Sequence, residues 1–484
     1  MGSSRWLLAW LCVGACSSGS LGKSSDAGLD SGAINGPDAS QPPNDAGHDD
    51  HAGQGGHDAN VQNGPSDAAS SVDAGADGAR PDASADAAGL PDSAANVDAA
   101  RPLLANAGVQ LLVGGERTGL QLTAANIADD ADVVAVHFEF DGVPWSELEA
   151  GQDPPPEWTT RVDALAKSVK ALNRPVFLSI SMLNGSRRSL ASRTALENGK
   201  LTSHDNWAAN CYDFASAPDA AAKRSAYLRY VRLMIAAFAP HWLNYAIEIN
   251  LYFEACPAGV PGLIGLANQV YDAAKLADPT LLAFSSVQID HLHGYAKDSC
   301  PDASQRDQCF EKALAELMPL AGDRFAMSSY PFLQGTHVQD LPVDWFERAA
   351  TRLHKPALIA ETGWLSTNIR AQLGTACQTP VQSTPDDALA YLDSVLAAAK
   401  RGRLELVTWW SDRDLLPAEL MTNCPCSFDP NWCNVVAVFR AAGGGDSQAA
   451  FVGELGLKAF GTMGLRDYAG NPKPLLEHWQ SFRR

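Results

Sequence analysis

Basic residues are scarce in this 484-residue sequence, 36 Lys and Arg against 56 Asp and Glu. The resulting net charge of −20 argues against nucleic acid as a partner. Beyond residue 15 no apolar run is long enough to cross a bilayer. No Gly-x-Ser-x-Gly elbow is present, which removes a serine-hydrolase reading. No glycine-rich phosphate motif follows the first β-rich run, which weakens a nucleotide-binding open sheet. Residues 17–100 lack aromatics and glutamate altogether, and set 14 Asp against Lys23 and Arg80 for a local charge of −12. Ala, Gly, Ser, Pro and Asn fill most of the rest. Such a segment buries too little apolar surface to offset its chain entropy, so residues 17–103 are expected to form a disordered, acidic Asp/Ala/Gly-rich tether. As a flexible coil it would span about 50 Å. "HDDH" (48–51) falls within it and is read as solvated charge, so no metal is expected there.

The first 16 residues have the composition of an export signal. Arg5 supplies positive charge, and "WLLAWLCVGA" (6–15) is an apolar run too short for a stable membrane span. It ends in "VGAC", which resembles the lipobox of bacterial lipoproteins. That resemblance implies cleavage before Cys16 and a lipid on its thiol; an ordinary cleaved signal is the alternative. Ser17 and Ser18 provide no acidic retention signal, so the expected location is the outer membrane, cell surface or periplasm. With Cys12 and Cys16 set aside, eight cysteines remain: Cys211, Cys256, Cys300, Cys309, Cys377, Cys424, Cys426 and Cys433. An even number in an exported chain reads as disulfides. Cys300–Cys309 and then Cys211–Cys256 are the expected pairs, with the remaining connectivity open.

From residue 104 onward short β-rich runs alternate with amphipathic helical patterns. The β-rich runs are "VQLLVG" (109–114), "DVVAVHFEF" (132–140), "PVFLSIS" (175–181), "NYAIEINLY" (244–252), "LLAFSSVQI" (281–289), "FAMSSYPF" (325–332), "PALIAETG" (356–363) and "LELVTWWS" (404–411). Several are almost continuously apolar, as parallel strands covered on both faces must be. Between them Val162, Leu165, Val169 and Leu172 recur at helical spacing, as do Leu228, Val231, Ile235 and Phe238. Eight such units predict an α/β (β/α)₈ TIM barrel over residues 104–484, with a doubly wound open sheet as the alternative. All eight cysteines then fall in segments that follow strands, on the face where barrel enzymes keep their active sites.

Two carboxylates stand out on this frame. Glu361 follows the uncharged run Pro356–Ala360, and Glu248 lies near the end of the fourth run. Both would point to the barrel mouth. Glycoside hydrolysis uses such a pair: one protonated acid for the leaving oxygen, and one ionised carboxylate that attacks the sugar. "AIEIN" (246–250), "SSYPF" (328–332), "IAETGW" (359–364) and the tail "GLRDYAGNPKP" (464–474) resemble, in order, motifs of clan A glycoside hydrolases. Within that clan the arabinogalactan endo-β-1,4-galactanases are the nearest likeness. The resemblance implies a retaining, cofactor-free hydrolase of β-linked, galactan-like polysaccharide. In it Glu248 is the acid/base, Glu361 the nucleophile, Tyr330 a hydrogen-bond donor to the nucleophile that also lines the substrate site, and Asn250, the second asparagine of the motif, a substrate contact. The sequence departs from the clan at Ile247, where an asparagine usually touches the sugar 2-hydroxyl.

Further candidates for substrate contact are His137 and Glu139 on one face of the second strand, Trp364 after the seventh, and one of the adjacent Trp409 and Trp410. Adjacent strand residues face opposite ways, and Trp410 is preferred for the mouth. "DHLH" (290–293) is read as loop polar groups, so neither metal nor cofactor is expected. The expected partners are polysaccharide and, through Cys16, a membrane, with the chain acting as a monomer. A catalytically silent, carbohydrate-binding surface lipoprotein is the competing reading, and Ile247 is the feature that favours it. In a bacterial host the full chain should incorporate labelled palmitate, and Cys16→Ser should abolish the label.

Overall fold

The computed structural model describes residues 107–111, 126–127, 129–138, 142–205, 207–401, 404–441 and 446–483. The expected signal segment, Cys16, the tether and Glu139 lie outside the described residues.

Eight parallel strands close into a barrel: β1 (Ala107–Leu111), β2 (Val133–His137), β3 (Val176–Ser179), β4 (Trp242–Ala246), β5 (Leu282–Gln288), β6 (Phe325–Ser329), β7 (Ala357–Thr362) and β8 (Leu404–Trp409). Each pairs with its neighbours in sequence, and β8 closes on β1 through Ala107↔Val407 and Val109↔Trp409. This closure excludes the open sheet. Every predicted strand is present, though most are shorter than the apolar run that marked them. The fourth run illustrates the reason. The strand stops at Ala246, and the end of the same run enters the helix Asn250–Ala255 instead.

Two apolar layers hold the barrel. Inside it, Val133, Ala135, Phe177, Trp242, Phe284, Ala326, Leu358, Ala360 and Leu406 form a closed cluster, mixing large and small residues so that the interior fills. Outside, alternate strand residues such as Val134, Leu178, Leu243 and Ile359 pack under the helices. The helices that cover them include Pro156–Lys170, Ala220–Phe238, Val260–Ala277, Pro385–Lys400 and Pro474–Arg483. The helix Pro385–Lys400 starts with a capping box, Thr384 and Asp387 satisfying each other's backbone N–H groups. The last helix locks onto the start of β2: Trp479 donates to the Asp130 carbonyl (2.8 Å), and Arg483 pairs with Asp132 (2.7 Å).

The segments after β3 and β7 carry antiparallel hairpins, Arg193–Glu197 with Lys200–His204 and Ile369–Leu373 with Ala376–Val381. Four disulfides staple the segments that follow the strands: Cys211–Cys256, Cys300–Cys309, Cys377–Cys424 and Cys426–Cys433. The first two are the expected pairs. The third joins the hairpin after β7 to the segment after β8, closing a separation of 47 residues. Chain-entropy arguments give such a link up to about 4 kcal/mol. Replacing Cys377 and Cys424 together by Ser should therefore lower unfolding stability by up to about 4 kcal/mol, as read by denaturant titration.

Candidate active site

Glu361 reaches the barrel mouth because β7 breaks its alternation. Met327 pairs with Ile359, yet the next residue, Ser328, pairs with Glu361, so Ala360 is an extra residue in β7. A bulge of this kind re-aims every side chain beyond it. Ile359 therefore packs outward, Ala360 and Glu361 both turn inward, and Thr362 faces out to hydrogen-bond Tyr391 of the helix Pro385–Lys400 (2.7 Å). Gly363 is required next: a Cβ there would lie 2.9 Å from the Trp410 carbonyl and 3.0 Å from Met463 Sδ.

Two groups hold the Glu361 carboxylate. The Tyr330 hydroxyl donates to Oε1 at 2.6 Å, and His137 Nδ1 lies 3.4 Å from Oε2. His137 is in register with the interior residues Val133 and Ala135, so strand alternation points it down the barrel axis. Burial alone would raise the Glu361 pKa; His137, then Tyr330 and the positive field of Arg187, outweigh it and hold the pKa below the usual carboxylate range. Burial, reinforced by Glu361, drives the Tyr330 pKa far above its ordinary value, so the phenol stays a donor. Its own backbone N–H is fixed by Asp290 Oδ2 (2.9 Å), and burial lifts the Asp290 pKa to about 7.

Glu248 is placed differently. After β4 ends, Glu248 adopts φ +51°, a left-handed conformation that costs a non-glycine residue on the order of 1 kcal/mol or more. A network across β4 and β5 supports it. Its N–H donates to Ser286 Oγ (3.1 Å), which also accepts from Asn244 Nδ2 (3.0 Å), while Asn244 Oδ1 accepts the Ser286 N–H (3.1 Å). Arg187 Nη2 approaches Glu248 Oε2 at 3.2 Å. Burial raises the Glu248 pKa, Arg187 opposes it, and the charge of Glu361 raises it further. The two carboxylates thus share one field and are driven in opposite directions.

Arg187 was not legible from local pattern. It comes from the turn Asn184–Ser189 after β3, where Asn184 Oδ1 accepts from the N–H groups of Arg188 and Ser189 and the Asn184 carbonyl accepts from the Arg187 guanidinium. The Cys211–Cys256 disulfide fastens this turn to the helix Asn250–Ala255, since the Cys211 N–H donates to the Arg188 carbonyl. The paired arginines in "NGSRRS" (184–189) were the available signal, but nothing linked them to a glutamate 61 residues away.

The other expected contacts divide. Trp410 is at the mouth, edge-on to His137 (5.9 Å between rings), with its indole N–H on the Phe460 carbonyl (3.1 Å). Trp409 packs outward against Tyr391 and Trp479. Phe460, which sequence reading missed, packs edge-on against both Trp410 and Tyr330. Two expectations require correction. Trp364 is buried in the outer core, with Tyr391 4.6 Å and Phe332 5.5 Å from its ring and its N–H on Ser383 Oγ, so it offers no free face. Asn250 commits its amide to the backbone of Gln288, donating to the carbonyl (3.0 Å) and accepting the N–H (2.8 Å), because the strand has already ended and the next helix must be tied to β5. Ile247 is buried beside Glu248 and brings no polar group. Within "DHLH", Asp290 bonds Gln288 and Tyr330, and His291 bonds Glu254.

No model of a protein family matches the sequence, and no curated protein matches it. Solved structures align with it at low identity. The exo-β-1,4-mannosidase Op5Man5 from Opitutaceae bacterium strain TAV5 has a TM-score of 0.48 at 16% identity, over 78% of this chain and 59% of that one. This chain therefore spans about three fifths of the mannosidase. A GH5_18 variant from Streptomyces cattleya in complex with Manb1-4GlcNAc gives 0.45 at 14%, over 78% and 79%. An active-site mutant of the Rhizomucor miehei β-1,3-glucanosyltransferase in complex with laminaritriose gives 0.40 at 12%, over 77% and 96%.

Carbon-13 NMR of labelled glutamate should find the two carboxyls titrating far apart. Tyr330→Phe should raise the Glu361 pKa, and Arg187→Met should raise that of Glu248.

Proposed function

We propose that this chain is a retaining glycoside hydrolase of β-linked polysaccharide, with Glu248 as the general acid/base and Glu361 as the nucleophile. The observation that carries this reading is the unequal surroundings of two buried carboxylates at one barrel mouth: the Tyr330 hydroxyl (2.6 Å) and His137 (3.4 Å) at Glu361, and the Arg187 guanidinium (3.2 Å) at Glu248, which together with burial push the Glu361 pKa down and the Glu248 pKa up. In the first step Glu361 attacks the anomeric carbon while Glu248 gives its proton to the leaving oxygen; in the second Glu248, now ionised, activates water. Tyr330 and His137 keep the nucleophile charged, and Trp410 supplies a sugar-facing aromatic surface. On the motif resemblance the substrate is galactan-like. The enzyme would act as a monomer, exported and held at the cell envelope by a lipid on Cys16. A binding barrel without catalysis is the second reading, favoured by Ile247 in place of a group that would touch the sugar 2-hydroxyl.

Reducing-sugar release should be measured on β-1,4-galactan, β-1,4-mannan, β-1,3-glucan and related polymers. The purified chain should cleave at least one of them. Glu248→Gln and Glu361→Gln should each lower kcat by roughly a hundredfold or more. Retention would appear by NMR as a β-configured first product. Binding of a polymer without cleavage, unaffected by either substitution, would establish the binding barrel instead. The pH profile follows from the two shifts. Activity requires Glu361 ionised and Glu248 protonated, so the acidic limb should report Glu361 and the basic limb Glu248. Tyr330→Phe should move the acidic limb upward and leave the basic limb nearly in place.

A further inference from the structure

Glu254 and His291 form a bonded pair on the segments after β4 and β5 and take no part in the two-carboxylate scheme. Glu254 is on the helix Asn250–Ala255, the turn of chain that follows Glu248, and His291 is in the short helix Ile289–Leu292 at the mouth end of β5. His291 is fixed at its backbone and at its ring. The His291 backbone N–H donates to Gln288 Oε1 (3.0 Å), and Nδ1 lies 2.8 Å from Glu254 Oε2. Gln288 is itself braced, its amide donating to Asp290 Oδ2 (2.6 Å). A carboxylate at Nδ1 makes that nitrogen a donor and sets the orientation of the ring.

The opposite nitrogen is what the protein leaves unused. His291 is 7% exposed, and its Nε2 is buried without a hydrogen-bond partner among the described residues. A buried polar atom without a partner is costly, and one held in a set direction by a carboxylate is a site awaiting a ligand atom. Burial disfavours charge on His291, but Glu254, Asp290 and Glu248 outweigh it and favour the imidazolium, in which Nε2 carries a proton to donate. The ring sits between the segments that follow the neighbouring strands β4 and β5 and is bonded to Glu254, on the same segment as Glu248, which puts it on the acid side of the mouth.

We propose that His291, oriented by Glu254, makes a hydrogen bond through Nε2 with a hydroxyl of the sugar on the leaving-group side of the scissile bond, and so selects oligomeric substrate. This rests on the reading of Glu248 as the general acid, because the leaving sugar must lie against that residue. Glu254 acts through His291 as a positioning residue. Trp410, beside His137, would serve the sugar that is transferred, and His291 the sugar that departs.

The test compares two substrates of one glycone, β-1,4-galactotetraose or β-1,4-mannotetraose, whichever the wild type cleaves, and the matching 4-nitrophenyl β-glycoside. The nitrophenyl leaving group has no hydroxyl at that position. His291→Ala should lose roughly ten- to a hundredfold more kcat/KM on the tetraose than on the aryl glycoside, mainly through KM. His291→Gln, whose amide donates from a similar place, should recover part of the loss, and Glu254→Gln should fall between. Equal losses on both substrates would mark His291 as merely structural and overturn the proposal, as would no loss on either. If the wild type cleaves neither substrate while Glu248 and Glu361 variants behave like it, the reading of the site fails, and this inference fails with it.

Discussion

The mouth of this barrel holds two carboxylates buried within each other's field, and a buried ion costs several kcal/mol unless fixed dipoles or counter-charges replace its water. The surroundings resolve that constraint unequally. Glu361 receives a phenol donor and an imidazole at its two oxygens, so its pKa is lowered. Glu248 receives one guanidinium contact, which does not overcome its burial and the repulsion from Glu361, so its pKa is raised. On the proposed reading, asymmetry of this kind assigns acid and base to chemically identical side chains.

Maintaining the asymmetry requires long-range supports. Tyr330 is anchored through Asp290, Arg187 through the Asn184 turn, and that turn through the Cys211–Cys256 disulfide to the helix beyond Glu248. Each support sits on a segment following a different strand, and the rigid barrel below fixes their spacing. The segment after β8 contributes as well. The helix Ser447–Phe460 ends in Phe460, which packs against both Tyr330 and Trp410, so the insertion that separates β8 from the last helix forms part of the site wall. On the proposed reading these supports set how a sugar is held, and the barrel sets only where.

Much of the frame was legible because it depends on local composition. Apolar runs marked all eight strands, and the nine-residue spacing of Cys300 and Cys309 fits a short loop closed on itself. Glu248, Glu361 and Tyr330 were legible from short motifs. Trp364 and Asn250 were misjudged for one reason: position in a motif tells which strand end a residue follows, and nothing about which way the chain turns there. The turn at Glu248 and the helix after it sent the Asn250 amide to the backbone of β5, and the core beneath the helix Pro385–Lys400 claimed the Trp364 ring.

By itself the sequence determined what periodicity and composition can encode: alternating β and helical units, an acidic low-complexity segment, an even set of cysteines and two glutamates near strand ends. The tertiary structure decided which partners those glutamates meet. Arg187 and Glu248 are 61 residues apart and meet because β3 pairs with β4, while His137 and Glu361 are farther apart still and meet across the mouth of the closed barrel. The bulge at Ala360 is equally a property of pairing, since it exists only relative to the register of β6. Side-chain pKa values depend on burial and on charges within a few ångströms, and those distances do not exist until the chain has folded.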